Sequence, residues 1–427
     1  MYDQSFVSAQ LEQEHMTFSL RCHLCQTAFP ATALWVCDRC LGPLEVTYDY
    51  AAIAPTLSRA TIESRPKNLW RYRELLPIAG DPRTGLHSGF TPLVRASRLA
   101  ARLGVRELYV KDDSVNHPSC SYKDRVVSIA ATRAVELGFS VFSCASTGNL
   151  AGSVAAHGAR LGLSVYVFIP DNLEAGKVAG ASIYRPRIVA VRGNYDDVNR
   201  LCTQVADKYG WGFANINLRA YYAEGAKTYG FEIAEQLGWR FPRHVVSPVA
   251  GGTLLPRILK GFEELKTVGL VEGQVPTIHA AQAAGCSPVV NALEAGLEYP
   301  DPVKPDTIAK SIAIGNPADG FQVLRSVRST GGSGAKVTDA EVIEGIQLLA
   351  ETEGIFTEPA GGVTVAATKQ LIERGAIPRD ESIVICITGN GYKTIEVLQG
   401  HGVEPIRIGR SLGDFEASEA APATASA

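Results

Sequence analysis

The feature that most constrains this chain is an alternation. From residue 105 onward, short runs of valine, isoleucine and other aliphatic residues trade places with longer stretches of helical period, the pattern of parallel strands joined by crossover helices. Strands are expected at 107–111, 141–145, 165–169, 188–191, 244–249, 277–281 and 383–387. Helices are expected at 124–137, 150–161, 196–208, 224–237, 253–265, 339–352 and 363–374. Several strands run into glycine-bearing loops that open a helix, and open α/β sheets bind ligands at such carboxyl ends. With 427 residues, 46% of them hydrophobic, and 41 glycines, the chain has material for more than one packed domain, which excludes disorder, collagen and coiled coil as its main state.

Charge and hydropathy remove other classes. Lys and Arg number 41 against 44 Asp and Glu, so no overall field draws the chain to nucleic acid or to an anionic membrane, and an anionic ligand must be caught locally. No apolar run approaches the roughly 18 residues of a membrane span, and the polar start Met1-Tyr2-Asp3-Gln4 does not read as a secretory signal. Nine cysteines, five of them scattered singly, argue for a reducing compartment and a cytoplasmic protein. Residues 1–17 and 411–427 have no apolar period and are expected to be disordered.

Four cysteines are not scattered. Cys22 and Cys25, then Cys37 and Cys40, form two Cys-x2-Cys pairs separated by eleven residues, and two such turns can aim four thiolates at one tetrahedral metal ion. A zinc-ribbon segment over 18–52 holding structural Zn2+ is the expectation, although a rubredoxin-like iron site uses similar geometry. All-sulfur ligation leaves no open position for catalysis. His23 lies inside the first turn as a bystander, and with only Arg21 and Arg39 the segment lacks the basic face that nucleic acid requires.

Four loops carry the chemistry. Ser121-Tyr122-Lys123-Asp124-Arg125 heads a predicted helix; Ser146-Thr147-Gly148-Asn149 follows a strand and opens a helix; Ala250-Gly251-Gly252-Thr253 does the same; and Thr388-Gly389-Asn390-Gly391 follows the last strand. Each is weak alone. In this order and at these separations they resemble the fold-type II enzymes of pyridoxal 5'-phosphate. The segments 215–228 and 302–317 narrow the resemblance to the threonine synthases, in the branch with an amino-terminal zinc ribbon, over about residues 18–405.

The resemblance implies a tryptophan synthase β-like fold: two three-layer α/β/α domains with parallel-rich sheets, plus the ribbon. A smaller domain would span 116–224 and a larger one 53–115 with 225–410, the cofactor lying in the cleft between them. The implied reaction takes an amino-acid substrate, O-phospho-L-homoserine, with water to L-threonine and phosphate. Lys123 would carry the cofactor and move substrate protons. Asn149 would meet the ring hydroxyl oxygen, Ala250, Gly251, Gly252 and Thr253 the cofactor phosphate through backbone N–H groups, and Thr388 the pyridine nitrogen. Ser146 and Thr147 would receive the substrate carboxylate; Asn217, Arg219 and Lys227 would receive its phosphate. Tyr221 and Tyr222 read as core. A homodimer is implied by resemblance only.

The chain departs from the family in places. Tyr122 stands where phenylalanine is common, Cys120 lies two positions earlier, and the run Asn217-Leu218-Arg219 replaces a common Asn-Pro-x-Arg. These changes keep open another elimination or replacement enzyme on the same scaffold, cysteate synthase-like or threonine dehydratase-like, including one in a secondary pathway. A non-catalytic protein that uses the ribbon to recognise a partner would require a decayed lysine loop, whereas Lys123, Asn149 and Thr388 are all present.

Overall fold

A computed structural model describes residues 17–418 apart from residues 147, 172–179 and 194. Three sheets organise them. The first is antiparallel: β1 (Phe18–Cys22), β2 (Ala28–Phe29) and β3 (Leu44–Tyr48) pair in the order β2-β1-β3 and carry the cysteine turns. The largest sheet has the order β12-β11-β10-β13-β5-β4, from β4 (Leu93–Arg95), β5 (Glu107–Asp112), β10 (His244–Pro248), β11 (Thr277–Ala283), β12 (Gly334–Val337) and β13 (Ser382–Ile387). Only β4 runs antiparallel to its neighbour. The third sheet, β8-β7-β6-β9, is wholly parallel and joins β6 (Val141–Ala145), β7 (Ser164–Pro170), β8 (Arg187–Val191) and β9 (Gly212–Phe213).

The central strands are apolar without alternation because helices cover both faces of the sheet. In β13, Ile383, Val384, Ile385, Cys386 and Ile387 are all fully buried. Their period of two distributes them: Ile383, Ile385 and Ile387 join one core, while Val384 and Cys386 join the other. The seven predicted strands are all present. Not anticipated were β4, β9 and β12, which are too short or too glycine-bearing for a periodic signal.

The helix expected over 224–237 is broken into Arg219–Glu224, a tight turn Gly225–Lys227, and Thr228–Gln236. The cause is a close crossing with the helix Lys123–Glu136: a Cβ on Gly225 would stand 2.4 Å from the carbonyl oxygen of Arg125. The tail expected to lack structure from 411 instead holds the helix Leu412–Glu416, because Ser411 and Asp414 form a reciprocal capping box; residues 1–16 and 419–427 lie outside the described residues. Among the described residues no helix is long and apolar enough to cross a membrane.

Candidate active site

Parallel register brings three of the four chemical loops to one edge of the largest sheet, and the Ser146–Asn149 loop of the third sheet meets them through side-chain hydrogen bonds. Ile387 pairs with Asp112, so Thr388 and the loop that follows β5 leave the sheet side by side. The amide of Tyr122 donates to the Thr388 carbonyl (2.9 Å), and Ser121 forms a β-bridge with Gly389. Lys123 thus starts its helix from a backbone pinned to the end of β13. Asp124, fully buried, accepts from the Ser119 amide (2.9 Å), the Ser119 hydroxyl (2.8 Å) and Ser153 Oγ (2.7 Å), which ties the lysine loop to the helix Asn149–Leu161. Beneath it, Arg125 and Lys111 meet Asp113 and Glu232 in a cluster with no exposed side chain.

The half-buried amine of Lys123 donates to two phenols, Tyr122 Oη at 2.7 Å and Tyr222 Oη at 2.9 Å. Desolvation works against the ammonium, but the two phenol oxygens outweigh it and hold Lys123 above its ordinary pKa. Tyr222 is therefore a site residue and Tyr221 is not. On the helix Arg219–Glu224 consecutive side chains diverge, so Tyr221 Oη donates to the Thr32 carbonyl in the ribbon (2.8 Å) while Tyr222 faces the lysine.

Asn149 lies across the same cleft. Its Nδ2 donates to both carboxylate oxygens of Glu358 (3.1 and 2.9 Å), and its Oδ1 accepts from Lys393 Nζ (2.7 Å). Burial pushes the Glu358 carboxyl up, against the pull of Lys393, Asn149 and Lys123. Neither Glu358 nor Lys393 stood out in the sequence; the signal for Glu358 is an acid directly before Pro359, the first residue of the helix Pro359–Glu373. Ser146 Oγ accepts from the Gly148 amide (3.3 Å) at the start of the helix Asn149–Leu161. Thr147 lies outside the described residues.

The loop from Ala250 to Thr253 opens the helix Leu254–Thr267. Among the described residues none of its four amides donates to a protein acceptor. Gly252 has φ +93°, and a Cβ there would stand 2.9 Å from the Asp319 carbonyl carbon, so the loop needs glycine both for its conformation and for its approach. Free amides at a helix N-terminus fit a phosphate group. Asp319 accepts from Thr253 Oγ1 (2.9 Å) and pairs with Arg219 (2.7 Å), which sets that guanidinium beside the loop. At the opposite side, the Thr388 hydroxyl has no hydrogen-bond partner among the described residues, and the Ser121 Oγ is buried without one. These unengaged groups and the lysine fit a phosphorylated aromatic aldehyde.

Two expected phosphate ligands are directed elsewhere. Lys227 is fully buried, pairs with Glu224 and Glu264 at 2.8 Å each, and lies 3.9 Å from the Tyr48 ring centroid, so its donors face carboxylates beneath the ribbon. Asn217 closes its own turn, accepting from the Phe213 amide (2.8 Å) and donating to the Trp211 carbonyl (3.1 Å). The sequence placed both near the site because they flank Arg219; a one-turn helix separates Lys227 from it.

The four ribbon cysteines converge. Cys22 and Cys40 sulfurs lie 3.4 Å apart, Cys25 and Cys37 sulfurs 3.6 Å apart, and all four fall within 4.8 Å of one another. Tetrahedral zinc–thiolate bonds of about 2.3 Å put sulfurs about 3.8 Å apart, so the cluster fits zinc. His23 is not in the set: it faces Glu45 at 3.7 Å and Arg325 at 3.2 Å.

The profile of the family described as "Pyridoxal-phosphate dependent enzyme" matches residues 85–389. Threonine synthase of Methanocaldococcus jannaschii is 39% identical over 392 residues, covering 91% of this chain and 96% of that one. Threonine synthase of Synechocystis sp. is 36% identical over 327 residues, covering 75% and 82% respectively. Among solved structures, maize serine racemase superposes with a TM-score of 0.63 at 20% identity, over 75% of this chain and 93% of that one, a likeness of fold.

Proposed function

Because this chain belongs to the pyridoxal-phosphate-dependent enzymes and, within them, to the threonine synthases, we propose that Lys123 and the loops around it form the site that converts O-phospho-L-homoserine and water to L-threonine and phosphate. The observation that carries this assignment is the Lys123 amine, set between two phenol oxygens where the Thr388, Asn149 and Ala250–Thr253 loops meet. Pyridoxal phosphate, when bound, supplies an electron sink for the carbanion character that develops on the substrate carbons.

The residues of the chain bind, orient and move protons. The amides from Ala250 to Thr253 hold the cofactor phosphate, Thr388 Oγ1 meets the ring nitrogen, and Asn149 meets the ring oxygen, exchanging its bond to Glu358 for that contact. Thr388 is neutral, so it does not hold the ring nitrogen protonated as a carboxylate would. Ser146, Thr147 and the first amides of the helix Asn149–Leu161 receive the substrate carboxylate. Arg219, released from Asp319 or shared with it, meets the substrate phosphate; Asn217 and Lys227 support the fold around it. Lys123 Nζ removes the α-proton and then the β-proton, phosphate leaves Cγ, Cγ takes up a proton, water adds at Cβ and a proton returns to Cα.

The same proposal gives the four ribbon cysteines structural zinc, for which the sulfur spacing argues. It places residues 116–224 in the smaller domain and 53–115 with 225–410 in the larger. It makes the protein a cytoplasmic homodimer, as the family resemblance implies and nine cysteines without a disulfide suit.

Borohydride reduction of the cofactor-loaded protein followed by peptide mapping tests the assignment. The cofactor mass is expected on the peptide that contains Lys123. Its attachment to another lysine would contradict the site.

A further inference from the structure

The tyrosine before the cofactor lysine has a chemical consequence that a phenylalanine could not have. Tyr122 Oη lies 2.7 Å from Lys123 Nζ, and Tyr222 Oη lies 2.9 Å from it on the other side. Tyr222 is buried, whereas Tyr122 is half-exposed and its hydroxyl makes no other hydrogen bond among the described residues, which leaves its own hydrogen without a protein acceptor there. Glu358 acts on the amine by charge, but among the described residues no hydrogen bond or ion pair joins the two.

The reaction needs somewhere for that amine to discharge. In forming threonine, the α-hydrogen, one β-hydrogen and one water hydrogen leave as protons, while Cγ and Cα each regain one. The third proton goes to the phosphate, before its bond to Cγ breaks. A single amine holds one extra proton at a time, yet the α- and β-protons both leave before Cγ takes one up. The amine must therefore discharge in the middle of the sequence, and a phenol oxygen within hydrogen-bond reach can take that proton while giving up its own.

We propose that Tyr122 is a catalytic proton relay: its oxygen takes the α-proton from Lys123 Nζ as its own hydrogen passes to an oxygen of the substrate phosphate still bonded to Cγ, which leaves the phenol neutral and frees the amine for the β-proton before the phosphate departs. The inference rests on Lys123 as the cofactor lysine. It also gives the chain's departure from the family's phenylalanine a role: the relay is an addition to the site, on which a phenylalanine enzyme would depend less or not at all.

The test compares the full chain with its Tyr122→Phe variant, which removes the hydroxyl and keeps the ring. Two quantities are measured: the pH at which added pyridoxal phosphate is captured, followed by its absorbance, and the steady-state constants with O-phosphohomoserine. Removing one phenol acceptor destabilises the Lys123 ammonium, so the neutral amine appears at lower pH. The capture midpoint is expected to move down by about one to two units, the weight of one hydrogen bond to a charged group. Loss of the relay is expected to lower kcat about 10²-fold with KM changed less than about threefold. A kcat within about threefold of the parent overturns the relay whatever the midpoint does. A parent protein that captures no cofactor at Lys123 overturns the site assignment and the relay with it, which separates the two failures.

Discussion

Replacing Glu232 by glutamine should weaken the floor of the active site in a way that pH reveals. Glu232 is fully buried and accepts from Arg125, from Lys111 (2.7 Å) and from the Phe90 amide (2.6 Å). Asp113, also buried, takes the other edge of Arg125 at 2.6 Å, so two cations and two anions balance within the cluster. Burial alone would push the Glu232 carboxyl up; Arg125 and Lys111 outweigh it and hold it at about 2 instead of 4.5. Burial pushes Lys111 down, so the charge of the pair is secured mainly from the carboxylate side, where Arg125 adds a second cation. At about 1.4 kcal/mol per unit, ionised Glu232 contributes about 3 kcal/mol, in line with about 3–5 kcal/mol for breaking a buried pair. Unfolding entropy of about 2.1 cal/mol/K per residue over a chain this long makes that loss about 3–4 °C in Tm. The sign follows from a depressed pKa: the stabilisation is complete above about pH 4.5 and disappears as pH falls toward about 2. Scanning calorimetry of Glu232→Gln and its parent should therefore show a gap at pH 7 that closes through that window. Equal Tm at pH 7, or a gap that does not change with pH, would refute the reasoning.

Three further outcomes follow from the geometry. Gly252→Ala forces a Cβ to within 2.9 Å of Asp319 at φ +93°, and should raise the Kd for pyridoxal phosphate about tenfold or more, measured by absorbance titration; an unchanged Kd would remove the loop from the phosphate site. Lys227→Met should lower stability by about 3 kcal/mol in urea unfolding while leaving KM for O-phosphohomoserine within about twofold, because the amine faces Glu224 and Glu264; a large KM increase would return Lys227 to the substrate. Cys37→Ser should abolish bound zinc in elemental analysis and lower Tm, since a structural site contributes folding energy directly; retained zinc would contradict the four-cysteine assignment.

Much of the fold was legible because buried parallel strands announce themselves: β13 is a continuous apolar run with helices on both faces. The lysine loop, the Ser146–Asn149 loop, the glycine loop and Thr388 were singled out by their order along the chain; parallel register sets three of them side by side, and hydrogen bonds of Asn149 and Ser153 bring in the second. Lys227 and Asn217 are directed away from Arg219 for local reasons. Asn217 precedes the helix that Arg219 begins and closes the turn before it, while Lys227 lies beyond Gly225, which crosses Arg125, and a helix turns successive residues by about 100°. The same rotation hid Tyr222, since a Tyr-Tyr pair does not say which ring faces the cleft. Asp319 and Glu358 reach the site from elements distant in sequence, and nothing in their local pattern distinguishes them from ordinary helix-start acids.

One measurement bears most directly on the account: the purified protein, loaded with pyridoxal phosphate, is given O-phosphohomoserine, and phosphate and threonine are quantified together in the parent and in Lys123→Ala. Equal release of both by the parent, and of neither by the variant, is the predicted result. Phosphate without threonine, or activity that survives the loss of Lys123, would contradict it.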